Sequence, residues 1–175
     1  MQSTMKNHIK IIIGIVVLAI LYIGYITIPR HIPDKIVQLP DPRLRERSDE
    51  VINFDNTAKE ISNELTDVMR EVDVYGSIFG LGMSAPQIGY NQRIIAIKES
   101  YGNYKTMINP EIIEKRWRLP WLEACYSLNG MHFTKRYFWT KVRYQDINGN
   151  YHEEYAPKIV QQEIDHLNGV LITDY

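Results

Sequence analysis

The stretch VQQEIDHLNG, residues 160–169, puts Glu163 three residues and Gln162 four residues before His166. On an α-helix both spacings bring side chains onto one face. In the H-E-x-x-H pattern, two histidines so spaced hold a metal ion and the glutamate handles the proton of its bound water. Here the first histidine position carries Gln162. Taken alone, such polar residues are commonly solvated helix surface. A second stretch, EACYS at 123–127, holds Cys125, the only thiol of the chain. A thiolate is a strong ligand for zinc or ferrous iron, although a lone cysteine is more often a small buried apolar residue. A third stretch, GLGMSAPQIG at 80–89, has glycines at 80 and 82 that permit close backbone approach to a ligand. In it Gln87 offers an amide able to donate to an oxyanion. By itself this stretch reads as a glycine-rich surface loop.

The elements that must position these residues are legible in outline. Residues 56–72 carry Ile61, Leu65, Val68, Met69 and Val72 at offsets of three and four, predicting an amphipathic helix with Asp55 or Asn56 as its cap. RIIAIK (93–98) reads as a strand by its isoleucines. YKTMINPEII and KRWRLPWLEACYSL read as strands interrupted by prolines, and INGN as a hairpin turn. Helical sequence resumes at Ala156–Pro157, where proline is tolerated in a first turn, and ends at the Asn-Gly pair 168–169. The fold class is α+β, with one early helix, mostly antiparallel strands and one late helix that carries the Gln-Glu-x-x-His pattern.

A length of 175 residues and a hydrophobic content of 45% are enough for one domain with a core. The formal charge of −1 implies no strong general attraction for nucleic acid or anionic lipid, so no nucleic-acid partner is expected. One cysteine forms no internal disulfide. Residues 11–28 form an uncharged apolar run, about 27 Å long as a helix, against a hydrocarbon core of about 30 Å. The run predicts an N-terminal transmembrane helix, with residues 1–32 as membrane anchor and linker and 33–175 as the following domain. Arg30, Lys35, Arg43 and Arg45 after the run favour a cytoplasmic domain on a single-pass membrane protein.

The order G-x-G-x-S-A-x-Q, then E-x-C-x-S, then Q-x-E-x-D-H resembles the peptide deformylase family. Its motifs are G-φ-G-φ-A-A-x-Q, E-G-C-φ-S and Q-H-E-x-D-H, with φ apolar. The likeness runs from about Ile36 to Tyr175 and includes PDPRLRE (40–46), APQIG (85–89) and INPEI (108–112). The resemblance implies a peptide deformylase-like fold and a metallohydrolase that removes the formyl group from the N-terminal formyl-methionine of nascent polypeptides. It implies a divalent metal, Fe(II) or Zn, held by Cys125 and His166, with Gln162 a weak or absent ligand. It gives Glu163 the proton-transfer role and makes Gln87 and the Tyr126 backbone N–H the oxyanion donors. Gly80, Gly82 and Tyr126 fall on the substrate side. The chain departs from the family pattern at Gln162, at Ala124 for glycine, at Ser84 for alanine, and at Tyr126, where leucine is usual. The first departure leaves a second reading open: a homologue that binds peptide N-termini without hydrolysing them.

Overall fold

The computed structural model describes Lys10, residues 12–14, Val16, and residues 32–73, 81–100 and 102–175. The chain divides into two units, Met1–His31 and Ile32–Tyr175, and the elements named below belong to the second. The first helix, α1 (Asn56–Val72), begins where the sequence places it. The Asp55 carboxylate accepts from the Thr57 and Ala58 N–H groups, satisfying donors that the first turn leaves open. Its buried stripe is Ala58, Ile61, Leu65, Val68 and Met69. That stripe packs on the start of an antiparallel meander.

The meander has strand order β1-β2-β3-β4-β5, comprising β1 (Gly82–Ser84), β2 (Ile94–Ser100), β3 (Asn103–Ala124), β4 (Met131–Gln145) and β5 (Tyr151–Tyr155). The register places Met83 opposite Ala96 and Ile95 opposite Met107. The stretch expected as a plain glycine-rich loop is therefore partly a strand. It continues into a 3-10 turn, Ala85–Ile88, closed by Gly89 at φ 90°. The two proline-interrupted strands are one strand, β3. Pro110 falls where the register shifts between Ile108 and Glu111, and Pro120 faces Lys135 where β3 has no second neighbour. Both are places where a missing N–H costs no ladder hydrogen bond. The turn after β4 is held by Asp146, whose carboxylate accepts from the N–H groups of Asn148 and Asn150.

The second helix, α2 (Lys158–Leu167), has Pro157 as its N-cap rather than inside the first turn, and Asn168 as its C-cap. Gly169 follows at φ 71° in close approach to Arg45, where a Cβ would lie 2.3 Å from the Arg45 carbonyl oxygen. One apolar cluster, with Leu65, Met69, Met83 and Ile108, lies under α1, and a second, with Ile95, Met107, Val142, Val160 and Leu167, lies under α2. A third gathers Val37, Leu44, Leu128, Leu171 and Ile172 around Cys125.

The N-terminal expectation is corrected. No helix among the described residues is long and apolar enough to cross a membrane. Of the run 11–28 only residues 12–14 and Val16 are described, as helix, and the remainder lies outside the described residues. The longest described helix, α1, carries a full polar face with Lys59, Glu60, Glu64, Asp67 and Arg70, and such side chains are costly in hydrocarbon. The single-pass membrane localisation with a cytoplasmic domain is withdrawn on this ground.

Candidate active site

Three segments distant in sequence converge: the 3-10 turn after β1, the end of β3, and α2. Cys125 Sγ lies 3.3 Å from His166 Nε2, and both side chains are buried. In a tetrahedral site with metal–sulfur and metal–nitrogen bonds of about 2.3 and 2.0 Å, these donors sit roughly 3.5 Å apart. The observed separation suits two donors sharing one cation. Burial, then the Glu163 carboxylate, pushes the Cys125 thiol up to about 12. Burial, then the charges of Arg136 and Arg45, pulls the His166 imidazole down to about 4 and leaves it neutral, the form that ligates a metal.

Gln87 is held in one orientation. Its Oε1 accepts from the Ser84 backbone N–H at 2.8 Å and from the Ser84 hydroxyl at 2.9 Å. That fixes Nε2 toward Cys125 Sγ at 3.4 Å and Ser127 Oγ at 3.2 Å. Ser84, a departure in the sequence pattern, is thus the residue that sets the amide. With the Ser84 hydroxyl turned to Gln87, both carboxylate oxygens of Glu163 are buried without a hydrogen-bond partner. Burial, with the Glu123 charge second, raises Glu163 to about 8. A buried carboxylate without a partner is costly, so this one is poised to accept a proton or face a cation.

Gln162 is buried on α2 and its Nε2 donates to the Ala124 carbonyl oxygen at 3.3 Å. Among the described residues no group of three or more His, Cys, Asp or Glu side chains gathers to hold a metal ion. The available donors are one thiol and one imidazole; the neighbouring Gln162 carboxamide is turned to donate through Nε2, and only its oxygen would add a third. This set, beside the partnerless Glu163, fits a divalent cation held more weakly than by three strong donors.

Gly82 meets the side chain of Glu163: a Cβ there would lie 2.9 Å from Glu163 Cγ and Oε1 and 2.8 Å from Ile159 Cγ1. Gly80 lies outside the described residues. Tyr126 follows Cys125, but its ring packs with the cluster under α1 and its hydroxyl reaches the Val72 carbonyl oxygen at 3.4 Å. His132 bonds the Asn129 carbonyl oxygen, and His152 pairs with Asp146 on the β4–β5 hairpin. Neither joins the Cys125–His166 pair.

A buried ionic network, missed in the sequence, braces both donors. Arg136 on β4 is fully buried and grips Glu123, two residues before Cys125, through Nε at 2.7 Å and Nη2 at 2.8 Å. Through Nη1 it also pairs with Asp165, next to His166. Tyr175 donates to Asp165 at 2.7 Å, and its ring lies 4.9 Å from the guanidinium carbon. Burial alone would pull the guanidinium pKa down, but Glu123 and Asp165 outweigh it and hold it above its usual value. Gln161 adds a second brace, its carboxamide bonding both the N–H and the C=O of Tyr137 at 2.9 Å. The available signal was two acidic residues beside the candidate ligands and one arginine on the facing strand. Glu123→Ala, which strands a side chain only 2% exposed, is expected to cost about 3–5 kcal/mol in urea unfolding. A loss under 1 kcal/mol would show that the network does not hold the fold.

The comparisons agree with this geometry. The family model described as Polypeptide deformylase matches residues 33–175. The peptide deformylase of Desulfotalea psychrophila is 34% identical over 151 residues, covering 81% of this chain and 86% of that one. The Plasmodium falciparum peptide deformylase, solved in complex with inhibitor, is 37% identical at a TM-score of 0.70, covering 79% of this chain and 86% of its own. The Thermotoga maritima peptide deformylase structure is 34% identical at a TM-score of 0.71, covering 79% and 94% respectively. By sequence over most of its length, by fold and by the side chains gathered at Cys125 and His166, the chain belongs to the peptide deformylase family.

Proposed function

We propose that the unit from residue 33 to 175, as a domain apart from 1–32, hydrolyses the formyl amide at the N-terminus of formyl-methionyl peptides and nascent chains. Members of this family are hydrolases that use a divalent metal. In this reading Cys125, His166 and the Gln162 carboxamide oxygen hold Fe(II) or Zn. The observation that carries it is the 3.3 Å approach of Cys125 to His166 beside a buried, partnerless Glu163. The family relationship favours hydrolysis over the alternative of binding without cleavage.

A bound divalent cation supplies Lewis acidity toward the formyl oxygen and its attacking water. Glu163 takes the proton of that water as its oxygen bonds to the formyl carbon. It then delivers the proton to the amine nitrogen as the carbon–nitrogen bond breaks, leaving formate and a free N-terminus. The Gln87 amide N–H, oriented by Ser84, and the Tyr126 backbone N–H face the oxygen on which charge grows, an interaction worth most when the donors are fixed beforehand.

The test measures metal content of the freshly purified full-length chain by mass spectrometry and formate release from formyl-Met peptides. Near-stoichiometric metal with turnover is expected, and metal-loaded protein that binds the peptide but releases no formate would overturn the reading. Gly82→Ala is expected to lower turnover by about tenfold to a hundredfold, because the added methyl displaces the Glu163 carboxylate. Unchanged kcat would show that Glu163 has room to spare.

A further inference from the structure

α2 and the strands it packs on form one continuous wall that begins at the Cys125–His166 pair. On α2, His166, Gln162 and Lys158 are spaced by four, so they lie in a row along one face of the helix. Each step along the row is about 6 Å, and Lys158 stands at its outer end as the first residue of the helix. On β4, Thr134, Arg136 and Phe138 alternate onto the face that α2 covers. Thr134 and Arg136 are buried there, and Arg136 pairs with Asp165 of the helix. The register sets Trp121 of β3 opposite Thr134, and Glu123, two residues before Cys125, meets Arg136 on this same face. The wall therefore runs outward from Cys125 past Trp121 to Phe138, which is 59% exposed. The first turn of α2 also adjoins the catalytic carboxylate, since Ile159 and Glu163 both lie against Gly82.

The outer end of the row holds an unanswered charge. Lys158 Nζ sits 4.5 Å from the centre of the Trp121 ring and 4.7 Å from that of Phe138. Among the described residues it enters no ion pair, whereas Arg136 on the facing strand is held by two carboxylates. Helix stability does not account for a lysine here, because a cation in the first turn opposes the helix dipole. The two rings hold the ammonium by its charge, but they fill none of its three directional N–H donors. A carboxylate does, through charge-assisted hydrogen bonds to a group already fixed in place. An apolar side chain laid on Trp121 and Phe138 would leave the ammonium without an acceptor, and a basic one would be repelled. The wall joins Lys158 to the donors at Cys125 and His166, so the carboxylate that reaches it is one carried by the peptide whose formyl end lies at those donors.

We propose that Lys158 is a specificity-determining residue, which selects formyl peptides with an acidic side chain among their first three residues, while Trp121 and Phe138 hold its ammonium in place. The proposal rests on the hydrolytic reading for the position of the formyl end. The test takes formyl-Met-Ala-Ala-Ala amide and peptides in which glutamate or lysine replaces its first, second or third residue. KM and kcat are read from formate release by the metal-loaded full-length chain, and Kd from calorimetry on the same preparation. At one of the three positions glutamate is expected to lower KM and Kd by about fivefold or more against the parent peptide, and lysine to raise them, with kcat moved far less. The preference should shrink from about 50 to about 300 mM KCl. Lys158→Gln should bring the glutamate and parent peptides to within about twofold, Lys158→Arg should keep the preference, and Lys158→Glu should pass it to the lysine peptide. Should the charge reversal fail to fold, Phe138→Leu removes one ring from the ammonium and should weaken the preference by about twofold or more. Equal KM and Kd across the peptides, or a glutamate preference that survives Lys158→Gln, would overturn the proposal. Peptides bound with this preference but releasing no formate would uphold it and end the hydrolytic reading. Formate released from all of them at equal KM would do the reverse, so the two fail separately.

Discussion

Glu163→Gln is expected to lower formate release by about a hundredfold to ten-thousandfold while leaving metal content unchanged. The magnitude is that of a positioned general acid–base group. The split follows from the geometry. Glu163 has no hydrogen bond to lose, because both oxygens are without partners. Cys125 and His166 are placed by the end of β3 and by the Arg136 network rather than by Glu163. A carboxamide keeps the shape of the side chain but neither accepts nor returns a proton in this range of acidity. Kinetics on formyl-Met peptides, with metal counted in the same preparations, decide the matter. Hydrolysis persisting near the parent rate would remove Glu163 from the proton path, and a parallel loss of metal would make it a ligand.

Gln162→His is expected to tighten metal binding by about a hundredfold or more and to raise turnover with it. Loss of groups that merely orient a ligand already costs about 10- to 100-fold in affinity, and here the group itself is at stake. Imidazole is the better donor to zinc or ferrous iron than a carboxamide oxygen. Position 162 is four residues before His166 on α2, buried, and beside the Ala124 carbonyl oxygen, so a new imidazole enters the same recess without a change of helix register. Competition with a chelator of known affinity measures the change. No gain in affinity would mean that the recess no longer points at the Cys125–His166 pair.

What was legible in the sequence divides by the range of the interaction that decides it. α1 with its Asp55 cap, β2, the turn at Asp146 and the stop of α2 at Asn168–Gly169 rest on local periodicity and capping, and each is found. β1 was hidden in a glycine-rich stretch because its strand character comes from pairing with β2. The unity of β3 was hidden because its prolines are tolerated only where a neighbouring strand is absent or shifted. Within the site, Cys125, Gln87, Glu163 and His166 were identified through the resemblance, and the fold brings them together. Glu123, Arg136, Asp165 and Tyr175 were not, since a fully buried arginine is legible only once its surroundings are known. The expected span over 11–28 shows the converse. A window of apolar residues has the length of a bilayer, yet no described helix carries one.

Cys125 and His166, the two donors that the proposed cation would share, stand 41 residues apart in the chain, one at a strand end and one on a helix. No short peptide holds both, so the recess has no counterpart in the unfolded polypeptide, and occupancy draws on the folded population alone. Saturation at about a hundred times the dissociation constant adds about 2.7 kcal/mol to the folded state. If the proposed site is filled as described, metal supply would set the stability of the folded chain as well as its turnover.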